Sequence, residues 1–181
     1  IRMNRKNTVT LLGFSSAIGL VYVLTFLCFG EVVTTEVYPL IVHLPLTVFL
    51  SLFYKYKPML SLLSVLTAYL CCQISKWMGL VALDFTRQEW VYYSVRIITT
   101  SVVFVILIRF VSDAVAQIMQ KPNKDLLIFA LMPLTYYCFD YITDVYTDLL
   151  YSGKRVVVEF LGFALCIAYL LFLLVYFKQY E

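Results

Sequence analysis

The sequence predicts an all-α, polytopic membrane protein built as a six-transmembrane-helix bundle. Two observations carry this. First, the 181 residues are 62% hydrophobic, with a mean hydropathy of +0.88, whereas a soluble globular domain has about 45–50% apolar residues. Second, the apolar residues fall into six stretches of about 18 or more, the length needed to cross a ~30 Å hydrocarbon core. Residues 1–181 therefore read as a single six-span domain in a lipid bilayer. The chain opens on Ile1 and is expected to be part of a longer protein.

The first span is read at Val9–Phe29, after the basic Arg2, Arg5 and Lys6. It is long enough to cross and lacks an A-x-A-like cleavage site, so it reads as a span and not as a cleavable leader. Gly13-x-x-x-Ala17 and Ser15-x-x-x-Gly19 place small residues where helices can approach closely. Gly30–Glu36 is expected as a short acidic loop. The second span is Val37–Tyr54, where His43, Thr47 and Ser51 form an i, i+4, i+8 polar stripe. Pro39 and Pro45 are expected to kink it. Lys55–Pro58 makes a basic turn.

The third span, Met59–Leu83, sets Tyr69, Gln73 and Lys76 on one face. DFTRQE at Asp84–Glu89 reads as a polar loop, followed by the interfacial aromatics Trp90, Tyr92 and Tyr93. The fourth span is Trp90–Phe110, with Arg96, Thr99, Thr100 and Val103 on one face, and its helix is expected to run on amphipathically to Gln120. Lys121–Asp125 is a proline turn that restarts a helix, with Asn123 or Asp125 as the expected cap. The fifth span is Leu126–Leu150, and Ser152-Gly153 ends it. The sixth is Val156–Phe177.

Loop charge gives the orientation. The N-terminus, the second and fourth connections and the C-terminus hold Arg2, Arg5, Lys6, Lys55, Lys57, Arg109, Lys121, Lys124 and Lys178. The opposite side holds Arg87, Lys154 and Arg155 together with Glu31, Glu36, Asp84, Glu89 and Asp148. Both termini are expected in the cytoplasm. The basic residues are spread over short loops and form no single patch, which argues against nucleic acid.

The fifth span carries the least expected chemistry. Asp140, Asp144 and Asp148 recur at i, i+4, i+8 and form one acidic helical stripe, with Tyr137, Tyr141 and Tyr151 close by. A carboxylate near the bilayer centre costs about 2.5–3.5 kcal/mol, so these groups are expected to face protein or water and to have partners. At 1.5 Å per residue inward from the external helix ends, His43, Lys76, Arg96, Asp140 and Glu159 each lie roughly 10 Å deep. Five spans thus place one ionisable group each in one layer, and Arg96 or Lys76 is expected to pair with Asp140 or Glu159. Arg96 is the favoured partner. The same groups, with Tyr137 and Asp144, are the candidate ligand-binding residues of an outward-facing polar pocket. The competing reading is an internal ion-pair cluster that fixes helix register.

Catalytic signatures are absent from the sequence: there is no Gly-rich phosphate loop, no HExxH, and one His. The five cysteines include no CxxC and lie in apolar stretches, so they read as small buried hydrophobes. No metal site and no cofactor is expected, and the chain by itself is not expected to be an enzyme.

YPLIVHLPLTVFLSLFYKYKPMLSLLSVLTAYLCCQISKWMGL (Tyr38–Leu80) and LMPLTYYCFDYITDVYTDLLYSGKRVVVEFL (Leu131–Leu161) resemble the membrane sensor region of bacterial histidine kinases with a C-terminal GHKL-type ATPase domain, a group similar to quorum-sensing peptide receptors. The resemblance rests on overall pattern and short strings. It implies a two-component signal-transduction sensor in the bacterial cytoplasmic membrane. It also implies an extracellular small molecule or peptide as ligand, and a sixth span that feeds a cytoplasmic signalling helix and a homodimeric kinase. The kinase motifs would lie after Glu181. The alternative is the substrate-binding membrane subunit of a vitamin-type importer, and a structural membrane-assembly subunit is a third reading. A reading frame after Glu181 that encodes a helical linker and an ATPase would distinguish the first from the others.

Overall fold

The computed structural model describes residues 5–118, 120–146 and 155–180. It is all-helical, with no strand among the described residues. Six helical segments are long and apolar enough to cross a membrane: Asn7–Gly30, Val32–Phe53, Pro58–Thr86, Glu89–Phe110, Asn123–Thr143 and Val156–Tyr176. The chain is a multi-pass membrane protein. Its contacts divide it into two compact units, Ile1–Ser61 and Leu62–Glu181.

The first unit is a helical hairpin. Helix α1 (Arg5–Tyr38) runs through both its arms and is interrupted only at Gly30, whose φ of 81° and ψ of −178° lie outside the helical region. The acidic loop expected over Gly30–Glu36 is therefore a one-residue break. The reason is that this backbone region is essentially restricted to glycine, so Gly30 alone can reverse the chain. The helix restarts at once, and Thr34 Oγ1 donates back to the Gly30 carbonyl at 2.6 Å. Pro39 then opens a π turn, Pro39–His43, closed by the Leu44 N–H on the Pro39 carbonyl. Pro45 sits in the first turn of α2 (Leu44–Phe53). The two prolines cannot donate to the helical ladder, which fits a widened turn at the expected kink. The arms pack antiparallel: Tyr54 Oη donates to the Asn7 carbonyl at 2.9 Å, Phe14 stacks on Phe49 at 4.0 Å, and Tyr22 meets Tyr38 edge-on at 5.8 Å.

The second unit is organised around α3 (Pro58–Thr86). Leu63, Val65, Leu66, Leu70 and Cys71 are buried on it. Facing core comes from Leu126, Phe129 and Ala130 of α6 (Asn123–Tyr146) and from Cys166, Tyr169 and Leu173 of α7 (Arg155–Tyr180). Tyr169 Oη donates to the Phe129 carbonyl at 3.1 Å, which ties α7 to α6.

Helix α3 outruns the expected third span. Asp84–Thr86 stay helical, and the turn shrinks to Arg87 and Gln88. Arg87 takes a left-handed conformation (φ 55°), and its N–H closes the helix on the Leu83 carbonyl at 2.7 Å, the usual device at a helix C-terminus. α4 (Glu89–Phe110) follows, with an acid in its first turn as the helix dipole favours. Its close approach to α3 is at Gly79, where an added Cβ would stand 3.2 Å from the Tyr92 carbonyl oxygen and 2.9 Å from its ring. No residue of α4 is buried.

The amphipathic continuation to Gln120 forms a separate short helix, α5 (Ser112–Ile118), set off at Val111. α6 begins at Asn123, and both Asp125 and Leu126 N–H groups point at the Pro122 carbonyl. Asn123 and Asp125 thus lie inside the first turn and not at the cap, because Pro122 already supplies the acceptor that starts the helix.

Candidate functional site

Tyr69, Gln73 and Lys76 follow one another at four and three residues along α3, so one face of this helix carries all three. That face meets α6 and α7. Lys76 Nζ lies 2.7 Å from Glu159 Oε1 of α7 and 3.6 Å from Asp140 Oδ1 of α6. One ammonium therefore joins carboxylates from two other helices. Asp140 and Glu159 are each 4% exposed, which rules out a solvated stripe at these two positions. Charges so buried are tolerated only when paired and hydrogen-bonded.

The hydrogen bonds come from tyrosines. Tyr136 Oη, one turn before Asp140 on α6, donates to Asp140 Oδ1 at 3.0 Å. Tyr69 Oη donates to Asp140 Oδ2. Both oxygens of Asp140 are thus occupied. Tyr137 adds its ring edge-on to Tyr69, 4.9 Å between centroids, and so holds the phenol that reaches the carboxylate. The passage for Tyr136 is made by Gly162 of α7. A Cβ there would lie 2.7 Å from Tyr136 Cζ and closer still to its hydroxyl, so a side chain at 162 would drive the phenol away from Asp140.

Trp77, next to Lys76, secures the start of α7. Its indole N–H donates to the Val156 carbonyl at 3.1 Å, and its ring lies 4.6 Å from Phe163 and 5.4 Å from Phe160. Glu159 lies within the stretch of α7 that Trp77 so fixes, and it meets Lys76. One polar group of the same face is left over: Gln73 is 3% exposed, and its Oε1 is buried without a hydrogen-bond partner among the described residues.

Of the sequence-predicted site residues, Lys76, Tyr137, Asp140 and Glu159 come together in this cluster. Arg96 does not join it. The expected pairing of Arg96 with Asp140 or Glu159 is taken by Lys76, and Arg96 Nη1 instead donates to Tyr92 Oη at 2.9 Å on its own helix, its guanidinium 5.7 Å from the Tyr92 ring. The reason is position. α4 has no buried residue and lies outside the α3–α6–α7 core, so depth matches but direction does not. His43 belongs to the first unit, where its ring meets Tyr38 edge-on at 4.9 Å and its carbonyl accepts from Thr47 Oγ1 at 2.8 Å. Asp144 lies on α6, with its side chain outside the described residues, as are Asp148, Tyr151 and Lys154 altogether.

Tyr136, Trp77 and Gly162 escaped the sequence reading. Each had a local signal: Tyr136 precedes Asp140 by one turn, Trp77 adjoins Lys76, and Gly162 lies three residues beyond Glu159. No protein-family model, curated protein or solved structure matches the chain.

Proposed function

We propose that this chain is the membrane sensor region of a bacterial two-component histidine kinase, and that the Lys76–Asp140–Glu159 cluster is the latch through which an extracellular ligand changes its output. The observation that carries this reading is one half-buried lysine shared by buried carboxylates of two other helices. A ligand shifts a protein only by binding its two states unequally, and switching proteins use elements with two discrete arrangements. An ammonium bound to two carboxylates at 2.7 and 3.6 Å is such an element, since it can favour either.

Gln73 supplies a second acceptor. A buried acceptor without a partner costs free energy. Oε1 of Gln73 stands one turn from Lys76 on the same helix, where the ammonium reaches it after leaving Glu159. The ligand reading and the helix-register reading then meet: the closed cluster fixes register in one state, and a ligand bound at the outer ends of the helices opens it.

The output element in this reading is α7. From Glu159 to Phe177 is about 27 Å at 1.5 Å per residue, the thickness of the hydrocarbon core. A shift at Glu159 is carried along a continuous helix toward the opposite face. The expected orientation makes that face cytoplasmic.

The test is a fusion of residues 1–181 to the catalytic half of a dimeric histidine kinase, assayed in membrane vesicles. Glu159→Gln and Gln73→Leu should shift basal autophosphorylation in opposite directions, the first by opening the latch and the second by removing the alternative acceptor. Membrane levels are read by immunoblot alongside. Unchanged phosphorylation in both variants at normal levels would overturn the sensor reading. Co-purification of the chain with an ATPase and uptake of a labelled solute would replace it with the importer.

A further inference from the structure

The second unit holds a cavity of about 260 Å³ at the end opposite the Lys76 cluster, between α3, α4, α5 and α7. Its floor is made by Leu63, Val111, Ile118 and Leu173, all buried. Its rim includes Phe104 and Ile108, 44% and 68% exposed. A buried floor under an exposed rim is a crevice open to the surface that lipid covers. Tyr169 lines it too, but its hydroxyl is engaged with the Phe129 carbonyl.

On α3 the lining also includes Ala68 and the hydroxyls of Ser64 and Thr67; two hydroxyls in an otherwise apolar wall do not suit a file of waters, each of which needs two to four polar partners. The lining suits a flexible apolar guest. Val111, Val115 and Ile118 line it at i, i+4, i+7, so α5 closes this end with its apolar face, while Asp113 and Gln117 stay exposed.

The polar boundary of the crevice is basic. Arg109 follows the rim residue Ile108 and is exposed. Lys121 is held to α5 by its N–H on the Ile118 carbonyl at 3.0 Å, and its ammonium lies 5.1 Å from the Tyr176 ring of α7. Lys124 and Lys178 are exposed on the neighbouring helix ends. Against these four cations stand the carboxylates of Asp113 and Asp125. Basic residues around a pocket between membrane helices are a known arrangement for anionic lipid headgroups.

We propose that this crevice is a binding site for one acyl chain of an anionic phospholipid, taken from the leaflet that borders the 111–124 connection, with its phosphate over Arg109, Lys121 and Lys124. The site is independent of the sensor reading. Its apolar walls belong to α3 and α7, the same helices that the Lys76 cluster joins, so a bound chain adds to their packing.

The test uses the full chain in phosphatidylcholine nanodiscs containing phosphatidylglycerol with a mid-chain diazirine, and crosslinks are mapped by mass spectrometry. A second probe carries the same chain on phosphatidylcholine. Label from phosphatidylglycerol should concentrate on 63–71 and 111–118 over Val105, which is 67% exposed on the other face of α4. Ala68→Trp, which fills the crevice, should abolish that label and leave Val105 labelled; Ser64→Phe does the same should the first variant fail to fold. Lys121→Gln and Lys124→Gln should each lower phosphatidylglycerol labelling about fivefold, the effect of one charge at an anionic surface, and leave phosphatidylcholine labelling unchanged. Equal labelling of the crevice and Val105, equal labelling by the two headgroups, or label that survives both filling variants would overturn the proposal.

Discussion

Lys76→Met removes the cation and keeps most of the stem. Asp140 and Glu159, each 4% exposed, then lose the ammonium they share. Breaking a buried ion pair by removing one partner costs about 3–5 kcal/mol, because a charge is left uncompensated. Two carboxylates are stranded here, which places Lys76→Met at the upper end. Tyr69→Phe removes one hydrogen bond to the Asp140 carboxylate, about 1.5–3 kcal/mol, while Tyr136 and Lys76 remain. Lys76→Met should therefore be the more damaging. The triple variant Lys76→Met/Asp140→Asn/Glu159→Gln strands no charge, and the uncompensated buried charge is what makes the single change costly. It should recover most of the loss. Steric trapping in bicelles gives the unfolding free energies of all four proteins under native lipid conditions. Lys76→Met less destabilising than Tyr69→Phe, or a triple variant no more stable than the single, would refute the account of the cluster.

Three further outcomes follow from single positions. Gly162→Ala would place a Cβ 2.7 Å from Tyr136 Cζ and should cost about 1–3 kcal/mol as overpacking; addition of Tyr136→Phe should recover part of it, and no recovery would mean the clash lies elsewhere. Gly30→Ala meets nothing within 4 Å, so its expected loss of about 1–3 kcal/mol comes from φ +81° alone, read as reduced thermal stability of the detergent-solubilised chain; an unchanged melting profile would mean the hairpin can turn another way. In a cysteine-free background, Arg87→Cys should react with impermeant maleimide from outside intact cells and Lys121→Cys should not, and the reverse pattern would overturn the expected orientation.

Much of the fold was legible because the bilayer imposes a length. Six apolar stretches predict six spans, and six helical segments long and apolar enough to cross are found among the described residues; the expected end of the fifth, 147–150, and the Ser152-Gly153 break lie outside them. The boundaries moved where polar residues are compatible with helix. Asp84–Thr86 read as loop by composition, yet a helix leaving the hydrocarbon can solvate them, and only Arg87 and Gln88 are needed to turn. Gly30–Glu36 failed differently. Its charges suggested a loop, but the chain reversal is a backbone property, and Gly30 supplies it in one residue. Glu31 and Glu36 do not need to leave the helix.

The site shows where depth counting stops. Counting along the spans put His43, Lys76, Arg96, Asp140 and Glu159 in one layer, and three of the five, Lys76, Asp140 and Glu159, do meet. Depth is one coordinate, however, and the direction each side chain takes is set by which helices are packed against which. α3 is buried on the face that carries Tyr69, Gln73 and Lys76, while α4 buries nothing. A cation on α3 therefore reaches both carboxylates, and one on α4 at equal depth folds back on Tyr92. The signal that separates the two lies in what surrounds each cation. Lys76 has Tyr69 and Gln73 behind it at helical spacing and Trp77 beside it. Arg96 is followed by Ile97 and Ile98, 68% and 64% exposed. Both faces are polar, since Arg96 has Tyr92 before it and Thr99 and Thr100 after it; what differs is burial, Gln73 beside Lys76 being 3% exposed while Arg96 is exposed and its long side chain takes Tyr92 Oη one turn back.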